Sequence, residues 1–340
     1  MPEFFFLDFK AVMSAAKKPT GLVAATFTPL TTQGEIILSE IGPYIDYLTQ
    51  KQGVRNIFVM TAPFTLLSQP MNHSINGTTG ESMALSVAER KKLAEEWCSK
   101  AKGKMEHVIV NVGCLSLKDS QELASHAAEI KADAIAAMAP FFFKPSNADV
   151  LRMFLKEVAS AAPTLPFYYY HIPSLTGVNV PVRDLLEDIQ NVIPSFRGVK
   201  FSGTDLMDFG LCVSYSPPNW TIFYGVDEQL LSALVMGAQG AVGSTYNYLG
   251  SHINKLVSAF EKGDLVEART IQFKLQDLLK YASKFGFDLG VNKQLMIQLS
   301  GLSLGPPRLP VKPCPPADAL SIAHKFQSIF PERDQSELNT

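Results

Sequence analysis

From Gly21 onward, short apolar runs alternate with longer stretches in which apolar residues recur every three or four positions. The short runs fit buried strands and the longer ones amphipathic helices. Strands are predicted over 22–27, 54–59, 108–112, 133–140, 165–171, 196–202, 222–225 and 240–244. The first helix is capped by Ser39, carries Ile41, Tyr44, Ile45 and Leu48, and stops near Gly53. Ser86 opens the second, and Glu89 three residues on completes a capping box. Further helices follow over 118–130, 147–161, 181–188, 206–213 and 228–236. Eight short apolar strands alternating with helices predict a (β/α)8 TIM barrel. The structural rival is a doubly wound open sheet. Against it, no GxGxxG follows the first strand, and eight evenly spaced units exceed its usual halves.

Beyond the barrel the helical period returns over 253–260, 265–285 and 292–299, the last two as additions on the barrel's C-terminal side. Prolines at 306, 307, 310, 313, 315 and 316 then break the pattern. The domain reading is an extension without stable structure over 1–18, a barrel over 19–250, a C-terminal helical extension over 251–310 and a tail over 311–340. The apolar Phe4–Leu7 run is short, meets Asp8 at once and lacks a basic flank, so a signal peptide is not expected. No apolar run approaches the ~18 residues of a membrane span.

Composition adds exclusions. A net charge of −2 without a long basic run argues against nucleic acid or a membrane surface as partner. Four cysteines, at 98, 114, 212 and 314, form no CxxC pair; this predicts reduced thiols and a cytoplasmic setting. The six histidines show no HExxH or similar spacing, so no metal site is predicted.

Candidate chemistry follows from the barrel. Reacting groups in this architecture sit at the C-terminal strand ends. Those ends carry Thr78 and Thr79, Phe142, Tyr170, Lys200 with Ser202, Asp227 with Glu228, and Ser244. Lys200 stands out, set among Phe196, Gly198, Val199 and Phe201. Burial would lower its pKa and make it a nucleophile able to form a Schiff base. The bland alternative is a strand-end lysine whose head lies in water. Likewise Asp227 and Glu228 could be only a helix N-terminal pair, Thr78-Thr79 only a turn, and Tyr170 only a core aromatic after Tyr168 and Tyr169.

Four motifs change those odds together: Asn76-Gly-Thr-Thr-Gly-Glu81, Tyr170-His-Ile-Pro-Ser-Leu-Thr-Gly177, Gly198-Val-Lys200 and Gly243-Ser-Thr-Tyr-Asn247. In this order and spacing they resemble the superfamily of N-acetylneuraminate lyases and dihydrodipicolinate synthases. Tyr224-Gly-Val-Asp-Glu228 and the Gly-Pro-Pro-Arg-Leu-Pro run at 305–310 look most like its vertebrate lyase branch. The resemblance implies a class I aldolase that cleaves N-acetylneuraminate reversibly to N-acetylmannosamine and pyruvate. It assigns the Schiff base to Lys200 and proton transfer to Tyr170. It gives the substrate carboxylate to Thr78 and Thr79, and the sugar tail to Ser202, Gly225, Asp227, Glu228, Gly243 and Ser244. It implies no metal or organic cofactor, a small-molecule partner (sialic acid and pyruvate) and a homotetramer.

The chain departs from the family in two places. Phe142 stands where the synthase branch carries a relay tyrosine, and phenylalanine cannot move protons. Residues 60–75 read as a loop inserted between the second strand and the Gly-Thr-Thr-Gly-Glu turn. Two further readings therefore stay open: an aldolase or synthase for another 2-oxo acid, and a catalytically impaired relative that binds sugar acids.

Overall fold

A computed structural model of the chain describes residues 19–59 and 79–331. The expected extension 1–18, the insertion 60–75, Thr78 and the last residues of the tail lie outside the described residues. Eight strands run in parallel: β1 (Gly21–Ala25), β2 (Asn56–Val59), β3 (His107–Asn111), β4 (Ala134–Met138), β5 (Phe167–His171), β6 (Phe196–Phe201), β7 (Thr221–Tyr224) and β8 (Gly240–Gly243). Each pairs with the next, and β8 pairs back to β1, so the sheet closes as the TIM barrel the periodicity predicted. Closure leaves no sheet edge and gives each strand two apolar faces to bury. Inward residues such as Val23, Phe58, Ile109, Met138, Tyr168 and Val242 fill the lumen. Outward ones such as Ile57, Val110, Ile135, Tyr169 and Ile222 pack under the helices.

One irregularity aims the site. Phe167 of β5 faces Phe196 of β6, but Tyr168 faces Gly198, so Arg197 is an extra residue and β6 carries a bulge. Strand alternation has period two, so one extra residue reverses which side chains face inward. Phe196 therefore packs outside with Val199 and Phe201, while Lys200 comes level with Tyr170. Gly198 has φ +144°, and a Cβ there would lie 1.9 Å from the Thr221 carbonyl oxygen, so only glycine fits.

Several helices differ from the expectation. Ser39 is not a cap; it lies within a 3-10 turn, Leu38–Glu40, and the α-helix starts at Ile41. The stop at Gly53 holds, with the left-handed conformation of a helix C-terminus. The capping box holds too: Ser86 Oγ accepts from the Glu89 amide at 3.2 Å, and the Ser86 amide donates to Glu89 at 2.8 Å. Segment 181–188 divides into Val182–Leu186 and a new start at Ile189–Val192. The first of these is capped from a distance, by Asp208 accepting from the amides of Val182 and Arg183. The helix expected over 253–260 begins directly after β8, as Tyr246–Glu261, and is the eighth helix of the barrel.

The C-terminal extension contains Leu265–Ala282 and Leu289–Ser300. The tail expected over 311–340 is corrected by a further helix, Pro316–Ile329, which packs on both. Its proline occupies the first turn, where a missing N–H costs nothing, and Ala319, Ile322 and Ala323 form its buried face.

Candidate functional site

The candidate site lies near the C-terminal ends of the strands. There Lys200 rises from β6 beside Tyr170 of β5. Only 4% of the lysine is exposed. Its Nζ lies 4.0 Å from the centroid of the Tyr170 ring and 5.0 Å from that of Phe58. Burial lowers its pKa to about 7, with the Asp227 carboxylate pulling the other way. A large share of the amine is therefore neutral near pH 7, the form that attacks a carbonyl.

Tyr170 is fully enclosed, which raises its phenol pKa, and a hydrogen bond with Ser202 opposes that shift. Ser202 follows the lysine on the strand exit, held by its amide donating to the His171 carbonyl at 2.8 Å. Gly225 lies alongside: a Cβ there would sit 2.0 Å from Ser202 Oγ. Lys200, Tyr170, Ser202 and Gly225 are thus brought together.

Asp227 and Glu228 follow β7, in the 3-10 turn Asp227–Gln229. Asp227 is buried, and its Oδ2 accepts from the Thr245 hydroxyl at 2.5 Å and the Thr245 amide at 3.2 Å. Burial raises its pKa; the Thr245 bonds and Lys200 lower it. The Tyr246 hydroxyl approaches the carboxylate without closing a well-formed hydrogen bond, leaving Asp227 Oδ1 without a partner among the described residues. Gly243 of β8 makes room, since a Cβ there would lie 2.0 Å from Asp227 Oδ1. Ser244 is half-buried next to it, and its carbonyl accepts from Asn247 at 2.8 Å. Burial raises the Glu228 pKa to about 7, and Glu228 Oε2 also lacks a partner among the described residues. Two enclosed carboxylates with spare acceptor capacity suit a polyhydroxy ligand.

Thr79 is buried in the turn that leads to Glu81. The adjacent Gly80 carbonyl accepts from the Thr28 hydroxyl at 2.7 Å, which fastens the turn to the chain leaving β1, at the same end of the barrel. Thr78, its expected partner, lies outside the described residues. Phe142 is 73% exposed and packs edge-on against Phe143. Sequence reasoning assigned no role to Thr245 or Tyr246, although both belong to the Gly243–Asn247 motif; only the fold shows them against Asp227. Phe58 was likewise read only as part of a strand. Among the described residues, no group of three or more His, Cys, Asp or Glu side chains is arranged to hold a metal.

The model of the dihydrodipicolinate synthetase family matches residues 18–327. The N-acetylneuraminate lyase of Danio rerio is 55% identical over 313 residues, 92% of this chain and 97% of the relative. Among solved structures, the Proteus mirabilis N-acetylneuraminate lyase superposes with a TM-score of 0.82 at 32% identity, covering 92% of this chain and 99% of its own. A catalytic lysine mutant of Ruminococcus gnavus sialic acid aldolase gives 0.80 at 29% identity, covering 91% and 95%. By the near full-length match to its model, and by sharing one barrel with these lyases, the chain belongs to the dihydrodipicolinate synthetase family.

Proposed function

We propose that the chain cleaves N-acetylneuraminate reversibly to N-acetylmannosamine and pyruvate through a Schiff base on Lys200. The observation that carries this reading is the enclosed Lys200 amine at the end of β6, with its pKa near 7, over the ring of Tyr170 on the neighbouring β5. The 55% identity to the Danio rerio lyase supports the choice of substrate.

In this mechanism neutral Lys200 attacks the C2 ketone of the open-chain sugar acid. Tyr170 supplies the proton with which the carbinolamine loses water, giving an imine. The tyrosine oxygen then takes the proton of the C4 hydroxyl. The C3–C4 electron pair moves toward the imine nitrogen, an aldehyde leaves as N-acetylmannosamine, and an enamine remains. Protonation at C3 and hydrolysis release pyruvate and restore the amine. Thr78 and Thr79 receive the carboxylate. Ser202, Gly225, Asp227, Glu228, Gly243 and Ser244 hold the sugar tail, with the carboxylates accepting from its hydroxyls. No step calls on a metal or an organic cofactor.

We also propose a cytoplasmic homotetramer. The four free thiols support the compartment. An exposed apolar stripe supports self-association: Met207 (74% exposed), Leu211 and Tyr215 recur at four-residue spacing on the helix Leu206–Tyr215, next to Val235 and Met236. No described helix is long and apolar enough to cross a membrane.

The test is mass spectrometry after treatment with pyruvate and borohydride. A reduced pyruvyl adduct on Lys200 is expected, together with pyruvate release from N-acetylneuraminate. Folded protein without an adduct would overturn the mechanism. An adduct without cleavage of that sugar would favour another 2-oxo acid, to be found with a substrate panel.

A further inference from the structure

Glu81 is a non-glycine residue in the left-handed region, at φ 60° and ψ 25°, immediately after Thr79 and Gly80. Such a conformation persists where its surroundings over-determine it. Here they do. The Glu81 side chain is buried and turns toward the C-terminal extension. Its Oε1 accepts from Lys293 Nζ at 2.8 Å, and its Oε2 accepts from the Arg308 amide at 2.7 Å. Lys293 has no exposed side-chain surface and also donates to the Pro306 carbonyl at 3.1 Å.

Arg308 extends the attachment. Its guanidinium donates to the Gly34 carbonyl, in the loop after β1, at 2.8 Å. It also donates to the Ala84 carbonyl at 2.7 Å and to Glu89 at 3.0 Å. Glu89 is the carboxylate of the capping box that starts the helix Val87–Ala101. The turn is therefore fixed on its downstream side by contacts that do not involve residues 60–78.

A buried ion pair is weak evidence for stability, because a matched apolar pair often serves as well. What this one adds is direction: two donors from a distant helix and loop set where the Glu81 carboxylate, and with it the Thr79–Gly80 backbone, must lie. We propose that Lys293 and Arg308 are positioning residues, through which the C-terminal extension clasps the Thr79–Glu81 turn in the conformation that receives the substrate carboxylate. This rests on the aldolase reading above, in which that turn binds the carboxylate.

The experiment compares Lys293→Met and the double variant Glu81→Gln/Lys293→Met with the parent chain. For each, the borohydride-trapped adduct on Lys200 is titrated with pyruvate and with pyruvamide, which keeps the ketone but lacks the charge. The clasp predicts that half-saturation by pyruvate rises about tenfold or more. The maximal adduct level and the pyruvamide curve should stay unchanged, and KM should rise more than kcat falls. An unchanged pyruvate curve, or an equal loss with pyruvamide, would overturn the proposal. Should the single variant fail to fold, the double variant, which leaves no buried charge unpaired, carries the test. Failure of both to fold would make the pair a core element and overturn its positioning role. A parent chain that forms no adduct would instead refute the aldolase reading.

Discussion

At the scale of single residues, the proposed chemistry depends on where two groups titrate. Lys200 is held near 7 by burial, and only its neutral form attacks a ketone. Raising the pH through about 7 deprotonates it, so the rate of pyruvate adduct formation should climb across that interval and level off above it. Stopped reaction with borohydride at a series of pH values measures this. Glu228 is pushed up to about 7, so it too becomes ionised over the same interval. Pyruvate has no sugar tail, and its adduct should report Lys200 alone. For N-acetylneuraminate, KM should fall as pH rises through about 7, as Glu228 becomes a full acceptor. Glu228→Gln should flatten that fall while leaving the pyruvate profile intact; an unaltered KM profile would remove Glu228 from the sugar site. Tyr170→Phe should lower kcat by about 10²–10⁴-fold, the usual worth of a positioned acid–base group. A smaller loss in steady-state cleavage assays would assign the proton transfer elsewhere.

At the scale of elements, the bulge in β6 decides which way the lysine faces. Alternation along Phe196, Gly198, Lys200 and Ser202 reads as one face of a strand, but the structure puts Phe196 outside and Lys200 level with Tyr170. That reversal needs Arg197 as the extra residue and Gly198 against the Thr221 carbonyl. Gly198→Ala should therefore cost about 3 kcal/mol or more, or shift the bulge and abolish the Lys200 adduct. Denaturant unfolding together with adduct trapping distinguishes these from a tolerated change, which would contradict the geometry. The helix starts teach a related lesson. Ser86 and Glu89 are three residues apart, so their capping box was legible in the sequence. The cap of Val182–Leu186 was not, because Asp208 comes from a different helix.

At the scale of the whole molecule, the C-terminal extension acts on the barrel rather than merely following it. The Glu81–Lys293 pair spans 212 residues of sequence, and no local pattern announces such a contact. The exposed stripe on Leu206–Tyr215 also belongs to this scale. Sedimentation velocity should find a tetramer for the parent chain and smaller species for Met207→Glu/Leu211→Glu. A parent monomer, or a variant with undiminished assembly, would overturn that reading.

The sequence by itself determined the barrel, because eight apolar strand runs separated by helical periods leave few other ways to bury both faces. It also pointed to a candidate site, because Lys200, Tyr170 and the carboxylates stand at strand ends within recognisable motifs. Only the tertiary structure decided that the amine is enclosed, which groups load Asp227, and that Phe142 is exposed. These depend on solvent exclusion and on contacts between distant segments. Both arise when the chain packs, and neither is written in any local stretch of it.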